Sequence, residues 1–231
     1  GLFVNRNYGS SALNTEYVGK RVSTALAEMV KFVPLQNIHL IGHSLGAHIM
    51  GSAARQFTKL TGKKIYRLTG LDPARPCFGF GKKLNGLFRG DASFIDIIHS
   101  NPGVLGKAQP MGDADFYPGG LSPLMPGCFD IVSSHSMAIN YFAESILPGN
   151  ENNFMANHCE SLEKLRLGEC SSGADKPMGY VTPHTARGCY LLHVNFYQPY
   201  GKNASSDETK MDMEECRSFA IKTRERESTL S

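Results

Sequence analysis

Ile38-His39-Leu40-Ile41-Gly42-His43-Ser44-Leu45-Gly46-Ala47-His48-Ile49-Met50 decides the fold. The apolar run 38–41 reads as a short buried strand that ends at Gly42. After Gly46 the residues Ala47, Ile49, Met50, Ala53, Ala54 and Phe57 suit a helix, so a strand turns sharply into a helix. Between them Gly42-His43-Ser44-Leu45-Gly46 matches GxSxG, a pattern that is weak alone and strong between a strand and a helix. Both glycines are expected to be needed because side chains there would collide with the backbone of so tight a turn, and Ser44 is forced into the open. Ser44 is the candidate nucleophile. Leu45, at the helix start, would offer its backbone N–H to the oxyanion of a tetrahedral intermediate.

Outward from this turn the same grammar continues. Val18, Val22, Leu26, Met29, Val30 and Val33 recur at helical spacing, predicting a helix over 14–33 with Asn14 as its N-cap and Pro34 as its stop. Strands are predicted over 65–71 and 94–98, and a helix over 137–146. Helices alternating with strands imply an α/β architecture with a mostly parallel sheet.

A serine hydroxyl needs an imidazole to take its proton and a carboxylate to orient that imidazole. In this fold class the chain order is Ser, acid, His. Asp72 lies at the C-terminal end of the strand after the nucleophile helix, where side chains face the same crevice. Asp91, Asp96, Asp113 and Asp115 are its rivals. For the base, spacing does not choose among His99, His135, His158, His184 and His193.

Composition sets limits on what the chain does. Its 231 residues suffice for one large domain, and 41% hydrophobic against 19% charged residues argues against wholesale disorder. A net charge of +3 from 24 basic and 21 acidic residues builds no field for nucleic acid. No apolar run is long enough to span a bilayer, and the N-terminus lacks a signal-peptide pattern, so the chain is either mature or lacks its beginning. Residues 203–231 carry twelve charged side chains in 29 positions, the mark of a loosely docked tail that also holds the sequon Asn203-Ala204-Ser205. Six cysteines without a CxxC pair favour disulfides in a secreted protein over a zinc site, and spacing suggests Cys159 with Cys170.

Four stretches together resemble the pancreatic lipase family in order and spacing: 38–48, Gly70-Leu71-Asp72-Pro73-Ala74, Asp115-Phe116-Tyr117-Pro118-Gly119-Gly120, and Met125-Pro126-Gly127-Cys128. The resemblance runs from about residue 4 to 200, and the short C-terminus is similar to invertebrate members without the second, β-sandwich domain. It implies an α/β-hydrolase fold, a partial lipase domain over 1–200 with a polar tail over 201–231, and a secreted, extracellular glycerolipid esterase. It implies no cofactor. It also implies a lipid substrate met at an interface, with peripheral contact to a membrane or lipid droplet. The family's nucleophile falls on Ser44, its acid on Asp72 and its base on His135, followed by the helix containing Tyr141-Phe142-Ala143-Glu144-Ser145-Ile146.

Three departures from the family pattern carry further expectations. The His-Gly-aromatic segment that supplies the second oxyanion donor does not precede Gly42, and Val4-Asn5 resembles the strand that follows it. An N-terminally incomplete chain lacking early strands is therefore expected. Cys128 faces Ser134 where the family has a second cysteine, so the lid is short and not disulfide-closed. Together with the short loop 101–111, this resembles phospholipase A1 members. The family's calcium set falls on Lys83, Gly86, Phe88 and Asp91, too few hard ligands for the ion. His43 and His48 are expected to be structural, Cys77 and Cys128 to be a bridge or two thiols, and Cys189 to pair with Cys216. The alternative to an enzyme is a non-catalytic lipid-binding or storage protein of the same fold, like the yolk proteins of flies, which have lost the serine.

Overall fold

A computed structural model describes residues 7–79 and 84–204, the side chains of 172–174 excepted. Two helices open it, α1 (Tyr8–Leu13) and α2 (Thr15–Met29). Asn14 does sit at the N-cap of α2, but its side chain makes no capping bond. α1 was not legible in the sequence, and α2 stops four residues before Val33, which lies in a turn. The strand–turn–helix unit follows as β1 (His39–His43) and α3 (Leu45–Thr61), the latter closed by Gly62 in the left-handed conformation. β2 (Arg67–Leu71), β3 (Phe94–Ile98) and β4 (Ala114–Pro118) are buried along their whole length, as expected of strands covered on both faces.

The predicted helix over 137–146 begins earlier, as α4 (Ile131–Ile146). Asp130 caps it, its carboxylate accepting from the Val132 and Ser133 amides at 2.8 Å each. The first turn exposes Ile131 and Val132, so no apolar periodicity marked it. The chain then adds β5 (Met155–Cys159), α5 (Leu162–Leu167), β6 (Ser171–Pro177) and β7 (Gly188–Leu192).

The seven strands form one sheet in the order β1-β2-β3-β4-β7-β5-β6. β1 to β4 and β7 run parallel, and β5 is antiparallel to both β6 and β7. This is the mixed, mostly parallel sheet with flanking helices of an α/β-hydrolase. On one face Ala47, Ala53, Ala54 and Phe57 of α3 pack with Leu40, Leu68, Ile95 and Ile97. On the other, Met137, Ala138, Tyr141 and Phe142 of α4 pack with Leu71, Phe94, Ile98, Phe116 and Tyr190. These two cores clamp the C-terminal ends of β1, β2 and β3 between α3 and α4, where a parallel sheet gathers its loops.

Cys159 and Cys170 are bridged, as the spacing suggested. Among the described residues Cys77, Cys128 and Cys189 form no disulfide, so the first two do not bridge each other, and the expected Cys189–Cys216 pair involves a residue outside the described ones. Cys216 and the residues from 205 onward lie outside the described residues, as do Val4-Asn5 and Lys83. Residues 201–204 dock back on the domain: the Gly201 amide donates to Glu144 Oε1 at 2.8 Å and the Asn203 amide to Asn153 O at 3.4 Å.

Burial of imidazoles makes this fold acid-sensitive. Desolvation pushes His48 down to about 4 and His39 down to about 3 from an ordinary value near 6.5. The native state therefore binds fewer protons than the unfolded chain between those values, and stability falls as pH falls through that window. Urea unfolding is expected to give a midpoint that is flat near neutrality and drops from pH 6.5 toward 4. A midpoint unchanged between pH 7 and 5 contradicts it.

Candidate active site

Ser44 stands between β1 and α3 at φ 55° and ψ −121°, a conformation that a non-glycine residue rarely adopts and that must be held by its surroundings. The Ser44 amide donates to Leu71 O at 3.0 Å, and its carbonyl accepts from both the Ala47 and Ala74 amides at 3.2 Å. Gly42 is required by the tightness of the turn: a Cβ there would lie 2.4 Å from Gly46 O and 2.6 Å from the Ala47 nitrogen. Gly46 is not, because a Cβ at that position meets nothing within 4 Å. The expectation that both glycines avoid collisions thus holds for Gly42 and fails for Gly46, which looks away from the strand.

Leu45 opens α3, so its amide is among those with no partner inside the helix. Its side chain packs against Ala12, Ala74, Phe78 and Leu84.

Asp72 follows the end of β2 directly and is fully buried, with φ 40°. Its amide donates to Ile98 O at 2.7 Å, fixing the turn to the neighbouring strand end. His135 sits in the first half of α4. Its Nδ1–H donates to Asp72 Oδ2 at 2.5 Å, and the Ser100 amide donates to Asp72 Oδ1 at 3.0 Å. With Nδ1 protonated, Nε2 is the ring position left to accept a proton. No hydrogen bond joins the His135 ring to Ser44 Oγ among the described residues.

Three neighbours hold this arrangement, and the sequence did not reveal them in that role. His43 donates from Nε2 to His135 O at 2.9 Å, with its ring 4.5 Å from the His135 ring. Burial pushes the His43 imidazole below its ordinary range. The Ser100 hydroxyl donates to His135 O at 3.2 Å and accepts from the Ala138 amide at 3.2 Å. Gly106 lets the loop press onto the acid, since a Cβ there would lie 2.2 Å from Asp72 Oδ1. Of the three, only His43 carried a visible signal, its place beside Ser44.

The rival residues are engaged elsewhere. Asp91 pairs with Arg55, Asp96 with Arg67, and Asp115 with His99. Asp113 Oδ2 accepts from the Ile95 amide. His99 is fully buried, with Nδ1 on Lys107 O and Nε2 on Asp115 Oδ1, so neither nitrogen is open. His158 stands edge-on to Tyr190, and His184 stacks on Phe94. His193 is exposed. His48 is structural, donating to Ala74 O at 2.7 Å and accepting from the Leu87 amide at 2.9 Å. Between Cys128 and His135 the short loop is tied by the Met125 amide to Ser134 Oγ at 3.0 Å, where the family pattern has a cysteine. Among the described residues no group of three or more His, Cys, Asp or Glu could hold a metal ion.

The chain is 39% identical to vitellogenin-3 of Drosophila melanogaster over 193 residues, 83% of this chain and 45% of that protein. To pancreatic lipase-related protein 2 of Rattus norvegicus it is 33% identical, covering 87% of this chain and 45% of the relative. To lipoprotein lipase of Neovison vison it is 35% identical, covering 72% and 39%. The chain thus spans less than half the length of these relatives. With residues 3–200 matching the profile described as Lipase, and an α/β-hydrolase sheet carrying a strained serine turn, the chain belongs to the lipase family.

Proposed function

We propose that this chain is the hydrolytic part of a secreted carboxylic ester hydrolase acting on glycerolipids through Ser44, His135 and Asp72. The observation that carries the reading is the His135–Asp72 hydrogen bond formed beside a serine held at φ 55°. Ser44 Oγ attacks the ester carbonyl, and its proton passes to His135 Nε2. The Leu45 amide donates to the oxyanion, the alcohol departs with the proton from His135, and water then releases the fatty acid from Ser44 by the same steps. The buried Asp72 carboxylate stabilises the imidazolium that forms between steps. A fluorophosphonate probe tests this: the intact protein is expected to be labelled and Ser44→Ala is not. No labelling of the intact protein defeats the enzyme and favours the second reading.

That second reading is a non-catalytic lipid-binding or storage protein. It is favoured by similarity to proteins named vitellogenin, including vitellogenin-2 of Ceratitis capitata at 36% identity. Retention of Ser44 together with a hydrogen-bonded His135–Asp72 pair favours the enzyme.

The short loops around the site support a phospholipase A1-type preference, since little apolar surface remains to cover a bulky neutral glyceride. Contact with the lipid surface falls to aromatic side chains near His135. Phe129 is 95% exposed, and Gly127 brings this loop against Phe196 O, next to exposed Phe196 and Tyr197. No described helix is long and apolar enough to cross a membrane. Burying one such ring in lipid is worth roughly 2 kcal/mol. Phe129→Asp is therefore expected to weaken binding to phosphatidylcholine vesicles at least about tenfold, while hydrolysis of a water-soluble ester is unchanged. Equal loss on both substrates refutes the docking role.

A further inference from the structure

The resemblance to the pancreatic lipase family implies calcium at Lys83, Gly86, Phe88 and Asp91, and the residues present do not fit it. Calcium takes six to eight oxygen ligands. Of that set Lys83 lies outside the described residues, Asp91 offers the one carboxylate, and Gly86 and Phe88 have no side-chain oxygen to offer.

What occupies the position is a side chain. Arg55 extends from α3 so that one nitrogen, Nη1, donates both to Gly86 O at 2.8 Å and to Asp91 Oδ2 at 2.6 Å. Its guanidinium carbon lies 4.6 Å from the centre of the Phe88 ring. The Phe88 amide also donates to Asp91 Oδ2, at 3.1 Å. Asp91 is fully buried at its side chain, and its Oδ1 has no hydrogen-bond partner among the described residues. A carboxylate so placed needs a cation: burial pushes Asp91 above the ordinary range, and Arg55 works against that. α3 approaches the loop very closely to deliver this charge, for a Cβ on Gly51 would lie 2.8 Å from Leu87 Cα.

We propose that Arg55 is a built-in cation that stands where the family pattern places calcium, so that the loop 84–91 keeps its shape independently of divalent ions. Through His48, which binds the Leu87 amide and Ala74 O, this loop buttresses the turn after Asp72. The inference does not depend on ester hydrolysis, and its test reads stability.

Thermal unfolding of the intact protein is measured in EDTA and in millimolar calcium, and the two midpoints are expected to agree within about 1 °C. Arg55→Met leaves a buried unpaired charge and is expected to lower the midpoint by roughly 5–10 °C. The same substitution made on Asp91→Asn is expected to cost less than about half as much, because the charge it strands is gone. If Arg55→Met does not fold, Arg55→Lys, which keeps the charge, serves in the same cycle. A midpoint raised by calcium or lowered by EDTA in the intact protein overturns the proposal. So does an Arg55 effect that is the same with and without the Asp91 carboxylate.

Discussion

Replacing Asp72 by Asn is expected to lower turnover by about 10⁴-fold while leaving the fold intact. The size follows from which atom faces which partner. Oδ1 accepts from the Ser100 amide, and Oδ2 accepts from His135 Nδ1–H. An asparagine has one oxygen to offer, and the Ser100 amide, fixed in the backbone, claims it. The NH₂ group then faces His135 and donates, so Nδ1 must accept and the ring proton moves to Nε2. That tautomer cannot take a proton from Ser44. The backbone does not object, because φ 40° is a conformation asparagine tolerates as well as aspartate. Steady-state hydrolysis of a soluble ester, with thermal unfolding as the control, decides the matter. A loss below tenfold in a protein with unchanged stability removes Asp72 from the proposed role.

The second large effect concerns folding. Gly42→Ala is expected to leave little native protein, with a loss above about 3 kcal/mol. Its Cβ would lie 2.4 Å from Gly46 O, 2.5 Å from Gly46 C and 2.6 Å from the Ala47 nitrogen, all backbone atoms pinned in the first turn of α3. No rotamer change relieves such a collision. Gly46→Ala is expected to be neutral or to stabilise by up to about 1 kcal/mol, since its Cβ meets open space in a helical position. Urea denaturation of both variants checks the pair. A Gly42→Ala protein with a native midpoint, or a Gly46→Ala protein that unfolds, would mean that the turn is held differently.

The sequence revealed the half of the fold built on strong periodicity. β3 matches its expected limits, and the strand–turn–helix at Ser44 is placed to within two residues, because apolar runs bounded by glycine admit few alternatives. β5, with Asn157 and His158, and β6, with Lys176 and Pro177, lie where the sheet is no longer parallel and buried on both faces, and their residues carry no strand signal. Asp72 was legible because its site is local: a carboxylate one residue past a strand end. The structure brings it to His135, 63 residues away, and spacing could not choose that histidine from five. Family resemblance did so, and the hydrogen bond is what the fold adds. Ser100 and Gly106 escaped notice because they act through a backbone amide and a missing side chain, neither of which a residue type announces.

A single oxygen, that of the Ser44 carbonyl, receives amides from the helix behind it and from the chain just past Asp72. The turns that carry Ser44 and Asp72 therefore share a rivet, and neither can loosen alone. On gradual heating, capacity for covalent labelling and near-ultraviolet ellipticity should vanish at one temperature, with no intermediate that is folded yet inert.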